Sequence, residues 1–499
     1  MIHPRVSDIL GVNFLPQITM KHLIILTLSL VVAITATAKP NVVLIMADDF
    51  GVGNVNAYGA SKKLVRTPHL NRLADQGLKF NRANAPGSIC SPTRYALLTG
   101  QYAWRAALPF GVVNLFDPMV VDTNRMTLPK YFQKMGYTTA QIGKWHLGYG
   151  DKKPTQYTEK LTPGPNDVGF DYHFGLPQNL DDNLRVWIEN DAIYGLRSQK
   201  TSAYAKSFYG GQYVGFDAPQ RQREEASEYL TDKAVDWIKQ THRSDSDAPF
   251  FLYFAHPATH HPIVPSEAMR GTSGCGAYGD FIQDVDLSIG RLIEALEYEG
   301  IADNTIIIFT ADNGADIPGN SKTRPENTSI AAGLTPNGIN QGDKHTIYEG
   351  GLRVPLIVRW DGKVTAGTIS NRPVNIVDMY ATLVEAVSGQ LPSVADAPDS
   401  ISFAPTLVGE SQEPRLPMIC SNVAGLHSII DGKWKYIDSS YPNGVPLPMR
   451  NATKGQSKPA LYNLDEDPSE TTNLLQDHPE MVERLKITLN RYRSQATRF

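Results

Sequence analysis

The chain has 499 residues, of which 41% are hydrophobic and 20% are charged, a composition typical of a folded globular protein. Its 47 basic and 51 acidic residues give a formal net charge of -4, which argues against a nucleic-acid-binding protein with a basic surface. The three cysteines, Cys90, Cys275 and Cys420, are too few for a disulfide framework and lack the spacing of a zinc site.

The N-terminal segment has the pattern of an export signal. A short basic lead at residues 20–22 precedes an apolar run at residues 23–34, and Ala36-Thr37-Ala38 fits the small-residue cleavage pattern. An anchor helix is the alternative, but the run is shorter than the roughly 20 residues that a membrane span needs. The sequence therefore predicts an exported protein, periplasmic or secreted, without stable membrane insertion, whose mature chain begins near Lys39.

Three continuous apolar runs predict strands buried on both faces of a sheet. They cover residues 41–47, 249–255 and 304–311. A cap at Thr127, Pro129 in the first turn and Gly136 at the end predict a helix over residues 127–135. Apolar residues at helical spacing predict helices over residues 223–239 and 281–296. Strands that alternate with helices are typical of an α/β fold, in which sites lie at the carboxyl ends of the strands.

Two later stretches differ in character from this pattern. Residues 149–221 are rich in Gly, Pro and aromatic residues with little periodicity, which favours binding loops. After residue 400, short strands followed by an amphipathic helix over residues 481–492 predict a smaller α+β domain. We thus divide the chain into an upstream segment with the signal peptide (1–38), a main α/β domain (39–399) and a C-terminal subdomain (400–499).

Polar residues follow the first and third apolar strands directly. Asp48 and Asp49 end one strand, and Asp312 and Asn313 end the other. Three carboxylates and an amide oxygen suit a hard cation such as Ca²⁺ or Mg²⁺, although helix caps or solvated turns are the ordinary alternative for each pair.

Basic side chains lie in short polar segments near the same strands. As a set they could bind a tetrahedral oxyanion and protonate a leaving group, although each alone could be a surface or core residue. The set comprises Arg94, Lys144, His146, His260 and Lys344.

Cys90 begins the stretch CSPTRYALLTG and could be a structural thiol, a metal ligand, a nucleophile or the precursor of another group. This stretch resembles the C-x-[PA]-[ST]-R motif of type I sulfatases of the arylsulfatase class, within the alkaline phosphatase superfamily. Four other segments resemble that family in the same order, and they are the opening strand, GKWHLG (143–148), ADNG (311–314) and KHTIYEGGLRVP (344–355). Residues 461–473 resemble its C-terminal domain.

The resemblance implies a large mixed, mostly parallel sheet flanked by helices, with a smaller C-terminal domain. It also implies that a maturation enzyme oxidises Cys90 to formylglycine, whose hydrate attacks the sulfate ester and then releases sulfate by returning to the aldehyde. Asp48, Asp49, Asp312 and Asn313, with residue 90, would hold the metal.

The remaining roles also follow from the resemblance. Arg94 and His146 would position the nucleophile, and Lys144 and Lys344 would bind sulfate oxygens. His260 would protonate the leaving alcohol, with His256 and His261 as alternatives.

Two other functions are compatible with the sequence. One is a phosphodiester or phosphonate monoester hydrolase of the same superfamily, and the other is an inactive glycan-binding homologue. For the substrate, we expect a sulfated carbohydrate, because Trp187 could stack on a sugar and Asp181, Asp182 and Arg185 could bind its hydroxyls or sulfates. The alternative for these four residues is packing within the insertion.

Overall fold

The structure is a computed structural model that describes residues 39–106, 108–206, 212–318, 324–440, 445–446 and 458–495. The predicted signal peptide lies outside these residues. Within them, no helix combines the length and the apolar character needed to cross a membrane.

The secondary structure alternates between strands and helices over most of the chain. The strands are β1 (Asn41–Ala47), β2 (Leu78–Phe80), β3 (Ala83–Asn84), β4 (Thr138–Lys144), β5 (Tyr172–Leu176), β6 (Ile188–Glu189), β7 (Ala192–Ile193), β8 (Ser198–Lys206), β9 (Gln212–Asp217), β10 (Phe250–Ala255), β11 (Thr305–Ala311), β12 (Leu356–Arg359), β13 (Thr368–Ser370), β14 (Val374–Asn375), β15 (Met418–Ser421), β16 (His427–Asp431), β17 (Trp434–Ile437) and β18 (Ala460–Asn463).

The α-helices of the described residues are α1 (Pro68–Asp75), α2 (Cys90–Thr99), α3 (Leu128–Lys134), α4 (Ala226–Ser244), α5 (Ala277–Tyr298), α6 (Pro325–Ala331), α7 (Glu349–Leu352), α8 (Met379–Ser388), α9 (Ala404–Leu407) and α10 (Pro479–Ser494). Short 3-10 helices cover Val52–Asn54, Asn56–Tyr58, Ala103–Arg105, Pro165–Val168, Ala302–Asn304 and Ile376–Asp378.

One mixed sheet organises the molecule. Its strand order is β13-β2-β12-β11-β1-β10-β4-β5-β6-β7. The five central strands, β11 to β5 in that order, run parallel, whereas β12 and β6 join them in antiparallel fashion. The predicted α/β fold with a mostly parallel sheet is confirmed.

The central strands form where the sequence is continuously apolar. Every residue of β1 is buried, as are those of β10 and β11. A strand covered on both faces needs apolar side chains at every position, which explains the absence of alternation. The predicted strands therefore match β1, β10 and β11 to within one residue.

The helices form two groups that cover this sheet. Helix α5 contacts both α1 and α4, whereas α2, α3 and α8 contact one another and form the other group. Thr127 caps α3 as predicted, because its hydroxyl accepts a hydrogen bond from the Lys130 N–H at 3.4 Å. Helix α4 begins at Ala226, three residues inside its predicted range, whereas α5 begins at Ala277, four residues before its range. Both helices end later than predicted, at Ser244 and Tyr298, because the exposed residues of their last turns do not continue the apolar pattern.

The insertion at residues 149–221 contains strands that the sequence does not signal. Strand β5 pairs with β4 in the central sheet, and β8 and β9 form a separate antiparallel pair. The insertion thus places a loop, residues 177–186, directly after β5 at the carboxyl edge of the sheet.

The C-terminal part forms a four-stranded antiparallel sheet in the order β15-β16-β17-β18, with α10 beside it. Ile419, Ile429 and Leu485 of this part share a buried cluster with Ala96 of α2. The small sheet therefore packs against the helix that begins at Cys90.

Candidate active site

The register of two parallel strands brings the predicted metal ligands together. Ala47 pairs with Ala311, so the polar residues that follow β1 and β11 lie side by side. The Asp49 N–H donates to Asp312 Oδ1 at 3.1 Å, and the Asn313 amide donates to Asp49 Oδ1 at 2.8 Å. All four residues, Asp48, Asp49, Asp312 and Asn313, are buried.

Cys90 lies against this group at the N-terminus of α2. Its Sγ atom is 3.5 Å from Asp48 Oδ1 and 3.9 Å from Asp49 Oδ1. Burial raises the pKa of the Cys90 thiol well above its usual range, so the cysteine by itself is a poor nucleophile at neutral pH.

Three cations neutralise the three carboxylates. Lys144 Nζ lies 2.6 Å from Asp48 Oδ2, and Lys344 Nζ lies 2.6 Å from Asp49 Oδ2. The Arg94 guanidinium donates to Asp312 Oδ2 through Nη2 at 2.7 Å and through Nε at 3.1 Å. Buried charges are stable only when paired in this way.

The three neighbouring histidines have different surroundings. His260 donates from Nδ1 to the His261 carbonyl at 2.7 Å and brings Nε2 to 3.7 Å from Asp49 Oδ2. His256 instead contacts the Ser288 hydroxyl and the Ala258 N–H. His261 contacts Glu326 and Asp316.

His146 follows Lys144 at the end of β4, with a left-handed φ of 57°. Both of its ring nitrogens are buried and have no hydrogen-bond partner among the described residues. Burial first, and then the charges of Lys144, Arg94 and Lys344, lower the pKa of His146 well below its usual range. A neutral imidazole with a free nitrogen can accept a hydrogen bond from a hydroxyl group at this site.

The structure thus gathers all ten predicted site residues at one edge of the sheet.

The fit of a cation is supported by an unpartnered atom, since Asn313 Oδ1 is buried and has no hydrogen-bond partner in the described chain. Ligand atoms of Asp48, Cys90 and Asp312 lie within 4.8 Å of one another, as do those of Asp49, Cys90 and His260. Burial and the Asp48 charge raise the pKa of Asp312 to about 6, a cost that a bound cation would relieve.

Two residues that the sequence analysis did not select also shape the site. The Thr259 hydroxyl donates to the Asp49 carbonyl at 3.0 Å, and its N–H donates to the Asp48 carbonyl at 2.5 Å. The Ser91 hydroxyl donates to the His146 carbonyl at 3.0 Å. Their only sequence signal is that each adjoins a selected residue, Thr259 next to His260 and Ser91 next to Cys90.

The insertion residues divide into two groups. Trp187 is 5% exposed and packs against Phe174 and Tyr229, so it serves the core. Asp182 pairs with Arg221 at 3.0 Å, and the Arg185 guanidinium donates to the Arg221 carbonyl. These three residues pack the insertion, whereas Asp181 has no such partner in the described part of the chain.

Comparison with known proteins decides the family. The family model for sulfatases matches residues 40–389. This chain belongs to the sulfatase family. As a type I sulfatase it is a sulfuric ester hydrolase, and the family generally uses formylglycine and a divalent metal ion.

Curated relatives match this sulfatase over most of its length. It is 33% identical to N-acetylgalactosamine-6-O-sulfatase of Bacteroides thetaiotaomicron, over 90% of this chain and 92% of the relative. It is 29% identical to arylsulfatase A of Homo sapiens, over 92% and 89% of the two chains.

Solved structures give the same result for the fold. A sulfatase structure from work on glycosaminoglycan metabolism by Bacteroides thetaiotaomicron matches with a TM-score of 0.83 and 32% identity, over 92% of this chain and 100% of that one. The phosphonate monoester hydrolase of Agrobacterium radiobacter matches with a TM-score of 0.59 at 20% identity, which is a similarity of fold alone.

Proposed function

We propose that this sulfatase removes sulfate from a carbohydrate, with formylglycine made from Cys90 as its nucleophile. The observation that carries the proposal is the burial of Cys90 between Asp48 and Asp49, beside the cations Lys144 and Lys344. Formylglycine supplies a hydrated aldehyde, which can attack sulfur and later expel sulfate without attack by a second water. An unmodified thiol with a raised pKa cannot do this.

A divalent cation fits the proposed oxygen ligands, which are Asp48, Asp49, Asp312 and Asn313. We propose Ca²⁺, with Mg²⁺ as the alternative, because carboxylate and amide oxygens suit a hard cation. When bound, the ion lowers the pKa of the nucleophilic hydroxyl and offsets the charge of the sulfate.

The surrounding side chains have separate proposed tasks. Lys144 and Lys344 bind sulfate oxygens, because both ammonium groups lie at the carboxylates that flank Cys90. Arg94 fixes Asp312, and the free His146 nitrogens orient the hydroxyls of residue 90. His260 is held by its Nδ1–H bond to a backbone carbonyl and presents Nε2 to the site. Burial and the charges of Lys344 and Lys144 lower its pKa in the free enzyme, so it donates a proton to the leaving alcohol from the imidazolium form that an anionic substrate stabilises.

The proposed substrate is a sulfated sugar, and the proposed location is outside the cytoplasm. The substrate is supported by the relative that acts as an N-acetylgalactosamine-6-O-sulfatase. The location is supported by the export pattern at residues 20–38. The proposed partner is a maturation enzyme that converts Cys90 to formylglycine.

The test combines mass spectrometry with a substrate panel. We expect the peptide that contains residue 90 to carry an aldehyde, and we expect the enzyme to release sulfate from 6-sulfated sugars and from 4-nitrophenyl sulfate. A faster reaction with phosphonate monoesters or phosphodiesters would favour the other hydrolase class. Unconverted Cys90 in protein that binds glycans without turnover would identify an inactive homologue.

Cys90→Ser is the control for the nucleophile. Serine keeps a hydroxyl at the site but cannot return to an aldehyde, so we expect a stalled, sulfated protein and a loss of kcat of about 10³-fold or more. Cys275→Ser, at a buried thiol that lies 3.5 Å from the Leu64 carbonyl, should retain wild-type turnover. Sustained turnover by Cys90→Ser, with an intact serine in the mass spectrum, would refute the formylglycine mechanism.

A further inference from the structure

A buried carboxylate in the loop after β5 has no hydrogen-bond partner among the described residues. Asp181 is fully buried, and neither of its oxygens has a hydrogen-bond partner among the residues that the structure describes. Burial and the charge of Asp182 raise the pKa of Asp181 to about 6, whereas the charge of Arg223 lowers it. Buried polar groups in folded proteins are nearly always hydrogen-bonded, so this carboxylate calls for a ligand.

Asp182, the next residue, has several partners and so differs from Asp181. Asp182 pairs with Arg221 and accepts hydrogen bonds from the backbone N–H groups of Leu184 and Arg185. Arg221 also donates to the carbonyls of residues 179, 180 and 186, so its guanidinium is fully used by the loop. These bonds tie Asp182 and Arg221 into the loop, whereas Asp181 is left unsatisfied among the described residues.

Two further unpartnered groups lie in the same neighbourhood. The Tyr213 hydroxyl and the Arg223 Nε–H are buried and have no hydrogen-bond partner among the described residues. The charge of Asp181 raises the pKa of Tyr213 and that of Arg223 lowers it, after the larger effect of burial. The N–H of Val214, next to Tyr213 in the chain, donates to the Asn183 carbonyl at 2.7 Å. Asp181, Tyr213 and Arg223 therefore form a cluster of buried polar groups whose hydrogen-bonding capacity is unused within the described residues.

The position of Asp181 relates this cluster to the reacting sulfate. The His146 N–H donates to the Pro177 carbonyl, and the Gln178 amide donates to the carbonyl of Val113. The Val113 N–H in turn donates to the Ser91 hydroxyl, beside Cys90. Asp181 is three residues after Gln178, which limits their Cα separation to about 10 Å.

The charges of the cluster favour a neutral ligand with several hydroxyl groups. The carboxylates of Asp181 and Asp182 would repel an anionic substituent on the ligand, such as another sulfate. The guanidinium groups of Arg185, Arg221 and Arg223 would repel a ligand with an ammonium group. A carboxylate with two free oxygens can accept hydrogen bonds from two adjacent hydroxyls, while Arg223 Nε–H can donate to a hydroxyl oxygen.

We propose that Asp181, with Tyr213 and Arg223, binds vicinal hydroxyls of the sugar whose sulfate lies at residue 90. This inference rests on the proposed function, because it requires a sugar sulfate in the active site. It makes Asp181 a determinant of sugar specificity, distinct from the residues that bind sulfate.

The test measures discrimination between a sugar and its deoxy analogues. The probes are the 6-sulfates of N-acetylgalactosamine, galactose and N-acetylglucosamine, with the 3-deoxy and 4-deoxy analogues of whichever is cleaved fastest. For the wild type we expect kcat/KM to fall about 10²-fold on loss of one hydroxyl, because a site built for a hydroxyl rejects its absence. For Asp181→Asn we expect the parent sugar to lose about 10²-fold and the discrimination to shrink to threefold or less.

Matched variants separate binding from structure. Tyr213→Phe should reduce the discrimination about tenfold, whereas Tyr204→Phe, whose ring stacks on Tyr213 but is 41% exposed, should keep it. Asp181→Asn should also raise the melting temperature by about 2 °C or more, since it removes an unpaired buried charge. A lower melting temperature would contradict the unsatisfied carboxylate.

The outcomes distinguish this inference from the proposed function. A matured wild-type enzyme that releases sulfate from neither the sugars nor 4-nitrophenyl sulfate would contradict the proposed function. Full discrimination by Asp181→Asn would overturn the inference alone. Cleavage of 4-nitrophenyl sulfate but none of the sugars would contradict the carbohydrate substrate of the proposed function, and with it the inference. An equal loss on parent and deoxy sugars would also overturn it, since that pattern indicates a purely structural aspartate or a bridging water.

Discussion

At the scale of single residues, the site is built from charges that neutralise one another. Three carboxylates face three cations in a buried space, and each of the closest contacts is between 2.6 and 2.7 Å. Neither set can be removed alone without leaving an unpaired buried charge. With a divalent ion on the carboxylates, Lys144 and Lys344 become available to an anionic substrate, so the charge balance of the site depends on both ligands.

The proposed proton donor, His260, can be tested by comparing substrates with different leaving groups. His260→Ala should lower kcat for a sugar sulfate by about 10²–10⁴-fold, because a sugar alkoxide needs a proton to leave. For 4-nitrophenyl sulfate the loss should be less than about tenfold, since the phenolate leaves without help. Steady-state kinetics on both substrates give the comparison.

The control for His260→Ala is a histidine outside the predicted site. His242→Ala, in the last turn of α4, should leave both rates at the wild-type level. Equal losses on the two substrates would remove His260 from the role of acid and direct attention to His256 or His261.

At the scale of elements, a buried charge network joins the small C-terminal sheet to the segment that carries Lys344. Lys435 of β17 lies 2.8 Å from Glu349 and 2.7 Å from Glu470. Glu349 begins α7, five residues after Lys344, and also pairs with Arg353. The network therefore holds the start of α7 against the C-terminal sheet and supports the position of Lys344.

This network predicts a pH-dependent stability. Burial and the Glu349 charge raise the pKa of Glu470 to about 7 from 4.5, while Lys435 lowers it. Because the folded pKa is above the unfolded one, the contribution of Glu470 is full below pH 4.5 and is lost as the pH rises through about 7. Glutamine at position 470 does not titrate, so the variant Glu470→Gln lacks this loss. The free energy of unfolding of the variant minus that of the wild type should therefore rise by about 2–3 kcal/mol between pH 4.5 and 8.

Denaturant unfolding at several pH values measures this difference. Glu466→Gln is the matched control, since the Glu466 side chain is 76% exposed and lies 3.9 Å from Lys433. It should follow the wild type at every pH. A Glu470→Gln curve parallel to that of the wild type would show that Glu470 is ionised throughout the range.

The same elements show which parts of the fold could be predicted from the sequence. Strands β1, β10 and β11 are predictable because burial on both faces imposes a continuous apolar run. Strands β6 and β7 have two residues each and carry no such signal. The Lys435–Glu349 pair joins residues 86 positions apart, and no local pattern encodes that contact.

At the scale of the whole molecule, the site exists only when distant parts of the chain meet. Its predicted residues lie between Asp48 and Lys344, and parallel pairing of β11, β1, β10 and β4 aligns the ends of the strands that carry many of them. The sequence could predict the residue set through motifs, whereas the partners of each side chain follow from the register of the sheet. The unpartnered state of Asp181 could be seen only after the loop around Asp182 and Arg221 was in place.

A cation that binds this assembled site should stabilise the whole fold. We expect one Ca²⁺ per active chain by elemental analysis, with zinc or no divalent ion as the contradicting result. Binding to the native state alone adds about 2.7 kcal/mol at a free concentration of 100 Kd, so chelation should lower the melting temperature by several degrees and readdition should restore it. In Asp312→Asn the melting temperature should no longer depend on Ca²⁺, whatever its baseline, whereas Asp122→Asn at an exposed turn should keep the wild-type dependence. A full Ca²⁺ response in Asp312→Asn would exclude Asp312 as a ligand and require the ion to bind elsewhere.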